Sequence, residues 1–239
     1  MKLDAKLKNQ IEQWNDSYEG KSVFETLEYF LEYFGENITF ATSLGAEDQV
    51  ITDFIARTGK SASIFTLDTG RLFPETYDLL EETSKKYGFK VDVYFPDRQK
   101  VESMVKEKGI NLFYESVENR KMCCGIRKVE SLQRAFSGKK AWISGLRKDQ
   151  TVSRFFSKLV EWDDVNNLIK LNPLINWTEK DVWEYIKDNN VPYNPLHKKG
   201  FVSIGCQPCT RAIKEGEDFR AGRWWWEDQE QKECGLHKR

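Results

Sequence analysis

ITFATSLGAEDQVITDFIAR, residues 38–57, holds the pattern that decides the fold. Residues 38–42 form an apolar, β-rich run, and after residue 47 the apolar positions return at helical spacing, so the stretch reads as strand, turn and helix. The turn is Thr42-Ser43-Leu44-Gly45-Ala46-Glu47-Asp48. A Ser-x-Gly turn there aims backbone N–H groups and a hydroxyl at the start of a helix, a natural anion site. An ordinary βα turn capped by Ser43 fits the same residues. No Gly-Lys-Ser/Thr follows, so the stretch is not a Walker A loop.

Working outward, β-rich runs recur at 63–67 (SIFTL) and 91–95 (VDVYF), with helical stretches near 47–57 and 75–87 between them. Strand alternating with helix predicts βαβ units and a parallel-type central sheet flanked by helices, an α/β fold. Weaker strands at 140–144 and 168–171 extend the sheet, and Thr178 is placed to cap the helix EKDVWEYIKDNN. Ahead of the sheet, residues 3–34 read as two amphipathic helices, with Leu7, Ile11 and Trp14 on one stripe and Phe24, Leu27, Phe30 and Leu31 on the next; Gly35 ends the second. The second strand closes on Leu67-Asp68-Thr69-Gly70-Arg71, again polar where ligands bind in open α/β sheets, although Asp68 and Arg71 also read as a surface ion pair. From about Gly216 the periodicity is lost. The expected organisation is one domain over 1–215 and a mobile C-terminal tail over 216–239.

At 39% hydrophobic and 31% charged, the 239 residues describe an ordinary globular chain with enough apolar content for a core. A formal net charge of −1 gives no global pull toward nucleic acid or a membrane surface, so anion binding has to come from local basic clusters. No apolar run suits a signal peptide or a membrane span, and the expected location is the cytoplasm. Thiols stay reduced there and serve as metal ligands or reactive groups.

The five cysteines are Cys123, Cys124, Cys206, Cys209 and Cys234. Four of them fall in two pairs, a vicinal Cys123-Cys124 and a C-x-x-C at 206–209. Thiolates of this number suit zinc or an iron–sulfur cluster, and a redox pair, a vicinal disulfide or inert thiols also fit. Adjacent cysteines must splay to reach one centre, which a cluster accommodates more readily than a single small ion. Lys121, Arg127, Lys128 and Arg211 stand nearby, where cations stabilise an anionic centre or merely meet solvent. Cys234, in Glu233-Cys234-Gly235-Leu236-His237, is badly placed for a structural cysteine and well placed for a nucleophile that meets two partners in turn. A tail cysteine taken alone also reads as incidental.

Taken together, SLGAED (43–48), LDTGR (67–71), CCGIRK (123–128), SGLRKDQ (144–150), GCQPCTR (205–211) and ECGLH (233–237) resemble the assimilatory adenylyl-sulfate and phosphoadenylyl-sulfate reductases of the adenine-nucleotide PP-loop fold. The motifs span nearly the whole chain in the family's order. The resemblance implies a 4Fe-4S cluster on Cys123, Cys124, Cys206 and Cys209 that does not pass electrons to substrate, and a preference for adenylyl sulfate over its 3′-phosphorylated relative. It implies that Cys234 is the nucleophile, that Lys128, Arg220, Arg223 and His237 hold the charge of the transferring group, and that Arg147 and Arg154 contact phosphate or sulfate. Ser43, Gly45, Ala46, Glu47 and Asp48 should line the nucleotide pocket with Leu67 and Asp68. Reduced thioredoxin or a similar thiol is the implied donor. Trp224, Trp225 and Trp226 read as packing anchors for the tail or as a donor-docking surface. The family often has His where this chain has Phe73. ATP-dependent sulfur-transfer enzymes of the same fold typically carry SGGxDS in the first loop, where this chain has SLGAED.

Overall fold

The computed structural model describes residues 2–150 and 154–227. Its centre is a six-stranded sheet made of β1 (Ile38–Ala41), β2 (Ser63–Leu67), β3 (Asp92–Tyr94), β4 (Ala141–Ile143), β5 (Val160–Asp163) and β6 (Leu168–Leu171), in the order β3-β2-β1-β4-β6-β5. Pairings from β3 through to β6 are all parallel, and β5 alone runs antiparallel, against β6. The expected α/β class and mostly parallel sheet are thus present. The antiparallel edge is the addition.

Helices cover both faces. On one side lie α1 (Ala5–Ser17), α2 (Val23–Phe34), α3 (Ala46–Thr58) and α8 (Glu179–Asp188), packed with Ile38, Phe40, Ile64, Ile143 and Ile169 into the main core. On the other, α7 (Glu130–Ala135) brings Leu132 and Ala135 against Phe65 and Trp142. Neighbouring residues 64/65 and 142/143 therefore enter opposite cores, as a strand buried on both faces requires. Helix starts follow the local chemistry. Ser22 and Glu25 form a capping box at α2, Thr178 and Asp181 another at α8, and α4 (Pro74–Tyr87) opens on proline.

Two further helices, α5 (Arg98–Lys108) and α6 (Val117–Cys124), lie between β3 and β4. The helix α6 runs into α7 through a π-helical turn, Gly125–Val129, immediately after the vicinal cysteines. Such turns re-aim side chains and concentrate at functional sites. A third apolar cluster, Met104, Leu112, Phe113, Cys209 and Trp224, gathers here with Cys123, Cys124 and Cys206 at its edge.

The described part of the tail is packed. Trp224 is 1% exposed, Arg223 bridges to Thr210, and Glu227 makes a buried ion pair with Arg120 of α6. Of the segment 216–239 expected to form a mobile tail, the described part to residue 227 is packed through apolar burial of Trp224 and charge pairing of Glu227. Cys234 and His237 lie outside the described residues. No helix among the described residues is long and apolar enough to cross a membrane.

Candidate active site

The strand order reverses between β1 and β4, and in open α/β sheets ligands bind at that switch point, outside the strands' C-terminal ends. The loop after β1 is built tightly. Leu44 takes a left-handed φ of 60°, its N–H donates to Thr42 Oγ1 at 3.0 Å, and the Ser43 backbone N–H and hydroxyl both donate to Asp48 Oδ2, at 2.6 and 2.7 Å. The loop after β4 closes against it: a side chain at Gly145 would place its Cβ 2.3 Å from Asp48 Oδ1.

Between these loops opens a cleft of about 220 Å³. Its lining includes Ser43, Gly45, Ala46, Glu47, Asp48, Leu67, Lys128, Arg154, Arg220 and Arg223, ten of the residues expected from sequence. Two expected residues stand elsewhere. The side chain of Arg147 is 2% exposed and spent on carboxylates: its Nε donates to Glu47 Oε1 at 2.9 Å, and its guanidinium also pairs with Asp149. It orients Glu47 from behind the cleft wall. Asp68 organises its own turn, accepting from the Gly70 N–H at 2.7 Å and the Tyr77 hydroxyl at 2.9 Å. Arg71 turns away from Asp68 to donate to the Ile110 carbonyl and Asn111 Oδ1, so the two do not pair. Phe73 is buried with its ring edge-on to Phe201, a packing position.

Burial pushes the Asp48 carboxyl up to about 6, against the pull of its Ser43 hydrogen bonds, and neighbouring Glu47 adds to the rise. Folding raises this carboxyl above its ordinary 3.8, so between there and about pH 6 the native state holds more protons than the unfolded chain. The stabilisation is full below that window and lost as pH rises through it. Urea unfolding at pH 4.5 and 7 should show a larger loss for the native protein than for Asp48→Asn. An equal or smaller loss would contradict this origin.

Beside the cleft, the four cysteines Cys123, Cys124, Cys206 and Cys209 line a second, smaller cavity with Arg71, Arg120, Arg127, Lys128 and Arg223. Thr69, Lys128, Cys206 and Arg223 line both spaces. Thr69 Oγ1 lies 3.1 Å from Cys206 Sγ, and Arg127 donates to the Thr69 carbonyl at 2.7 Å. A Cβ at Gly205 would fall 2.3 Å from the Arg223 guanidinium, so any side chain there would displace Arg223 from the shared wall. Burial pushes the Cys209 thiol up to about 12, with Cys206 and Cys124 adding to it; burial also raises Cys123, opposed by Arg127.

The donor set suits an anionic sulfur-ligated centre. Among the described residues five cations and no carboxylate line the thiol cavity; Arg127 and Arg223 are buried there, and Arg120 is paired with Glu227. No group of three or more ligating side chains there converges on a single ion.

The sequence reading named Arg127 beside the vicinal cysteines and left its role open, and it did not single out the lining residues Thr69, Ser144, Gly145 and His197. Gly145 and Ser144 fall inside the SGLRKDQ motif, which was signal enough. His197 had none.

A family model described as phosphoadenosine phosphosulfate reductase domain matches residues 37–212. The chain is 52% identical over 204 residues to the adenosine 5′-phosphosulfate reductase of Allochromatium vinosum, covering 85% of this chain and 80% of that one. Against the enzyme of the same name from Burkholderia cepacia it is 49% identical over 216 residues, covering 89% and 86%. Among solved structures, the phosphoadenylyl-sulfate reductase of Candida auris, as a phosphate complex, aligns with a TM-score of 0.76 at 30% identity, covering 89% of this chain and 99% of that one.

Proposed function

Because the chain belongs to the phosphoadenosine phosphosulfate reductase family, we propose that it is an adenylyl-sulfate reductase of assimilatory sulfate reduction, producing sulfite and AMP. The wall shared by the nucleotide-type cleft and the four-thiol cavity supports this reading most, because it sets Lys128 and Arg223 where a transferring sulfonate needs cations.

The electrophile is the sulfur of a sulfate joined to the adenylate phosphate. The Cys234 thiolate attacks it, the S–O bond to the phosphate breaks, and AMP leaves with that electron pair. The enzyme then carries an S-sulfocysteine. A thiolate of a reduced donor such as thioredoxin attacks Cys234 Sγ, sulfite departs with the S–S electron pair, and the donor's second thiol resolves the mixed disulfide, regenerating Cys234 and leaving the donor oxidised. Lys128, Arg154, Arg220 and Arg223, with His237, neutralise the phosphosulfate and the charge that develops on it. Glu47, held by Arg147, and the loop of Ser43, Gly45, Ala46 and Asp48 seat the nucleotide.

Cys123, Cys124, Cys206 and Cys209 would hold a 4Fe-4S cluster, which would supply an anionic centre beside the cations of the shared wall. Protein purified without oxygen should carry ~4 Fe and ~4 sulfide per chain. Stoichiometric zinc without iron would overturn that assignment.

Two substrates are open to this family. The aligned solved structure is named for the 3′-phosphorylated nucleotide, whereas the relatives near 50% identity are named for adenylyl sulfate. The higher identity favours adenylyl sulfate, and kcat/KM measured side by side with one donor should be higher for it. A higher value for the 3′-phosphorylated form would reverse the substrate assignment.

A further inference from the structure

His197 lines the nucleotide-type cleft from a 3₁₀ turn, Pro195–Lys199, eight residues before Gly205 of the GCQPCTR stretch. The turn is fixed from several sides. Asn194 accepts from the Leu196 N–H and donates to Thr76 Oγ1, Lys199 pairs with Glu75, and the imidazole stands edge-on to Trp183 at 5.2 Å. Its Nε2 is buried and bonded to no group among the described residues. The Phe201 backbone also interacts with the ring. In the neutral imidazole with its proton on Nδ1, Nε2 is a lone-pair acceptor. Burial lowers the pKa of the ring, against the pull of Glu47, the Phe201 carbonyl and Glu179, so it is neutral at pH 7.

An acceptor held rigid in a cleft wall, with no partner, matches a donor on the occupant. We infer that His197 is a substrate-binding residue whose Nε2 accepts a hydrogen bond from the bound adenine nucleotide. This inference rests on the cleft being the nucleotide site. In adenylyl sulfate the only neutral donors are the 6-amino group and the two ribose hydroxyls, so Nε2 reads one of those three. A neutral acceptor there repels an anionic group at the same place. If the group is the 3′-hydroxyl, His197 discriminates against the 3′-phosphorylated nucleotide.

The test uses the product AMP and three analogues, 2′-deoxy-AMP, 3′-deoxy-AMP and the nucleotide lacking the 6-amino group, titrated calorimetrically into wild type, His197→Gln and His197→Leu. One analogue should bind wild type about tenfold more weakly than AMP, a difference of about 1.4 kcal/mol. His197→Leu should bind AMP with the same tenfold loss and no longer distinguish that analogue, while the carbonyl of His197→Gln restores part of the affinity. Equal AMP affinity in wild type and His197→Leu, or an equal penalty for all three analogues in both, overturns the inference.

A second readout needs no folded variant at 197. The chain has two histidines, so nitrogen-15 labelling of histidine gives two ring systems, assigned with His237→Asn. Saturating AMP should shift the Nε2 resonance of His197 in the direction of an accepted hydrogen bond. A resonance unmoved while calorimetry shows AMP bound overturns the role of His197 alone. If wild type binds no AMP, the reading of the cleft falls, and this inference with it.

Discussion

Cys234→Ser is expected to lower sulfite production to background, a loss of at least about 10³-fold, with iron content unchanged. The serine hydroxyl ionises far above neutral pH, so it cannot attack the sulfate sulfur as a thiolate does. Cys234 is also the only cysteine outside the four that line the thiol cavity, so no other thiol can take its place. Substrate should still bind, since Ser keeps the size of Cys and the described residues that line the cleft are unchanged. A serine variant that makes sulfite at more than a few per cent of the wild-type rate would remove Cys234 from the chemistry.

The second large effect is expected where the C-terminal segment is fastened. Arg120 and Glu227 are 2% and 3% exposed, paired through Nε to Oε1 at 2.9 Å and Nη2 to Oε2 at 2.6 Å, with the Arg120 guanidinium also 4.7 Å over the Trp224 ring. Breaking a buried pair by removing one partner strands the other charge, at a cost of about 3–5 kcal/mol. Glu227→Leu should therefore lower Tm by about 10 °C at this chain length. Arg120→Met combined with Glu227→Leu should recover part of the loss, because an apolar pair leaves no uncompensated charge. A drop of less than about 2 °C in the single variant would contradict a buried pair.

The same contact has a positional side. Arg120 lies one helical turn before Cys123 and Cys124 on α6, so it shares their face. From Glu227 to Cys234 a fully extended chain spans at most about 25 Å. The pair thus confines where the nucleophile's segment starts relative to the cleft.

Much of this was written locally in the sequence. The strand-turn-helix at 38–57 was legible because a period of two changes to one of 3.6 across a polar glycine-bearing turn, and both halves are decided by nearest neighbours. The β5 strand was not, since its residues Val160-Glu161-Trp162-Asp163 alternate too briefly and owe their state to pairing with β6. The π-helical turn after Cys124 depends on packing around the thiols, which no period announces.

The site shows the same division. Residues of the first loop were legible because the loop's chemistry is contiguous. Arg147 read as a ligand contact, yet its guanidinium is committed to Glu47, 100 residues away, a partner that only the fold supplies. His197 was missed for the converse reason: its neighbours Pro195 and Leu196 form a turn with no pattern of its own, and its meaning comes from facing Glu47 and the cleft.

The central claim is that sulfite passes through a bond to Cys234. Incubating the enzyme with adenylyl sulfate and no thiol donor, then measuring the mass of the peptide that contains Cys234, tests it most directly. One added sulfonate on that peptide, formed in step with AMP and removed by reduced thioredoxin, is the predicted result. AMP released while the peptide stays unmodified would contradict the account.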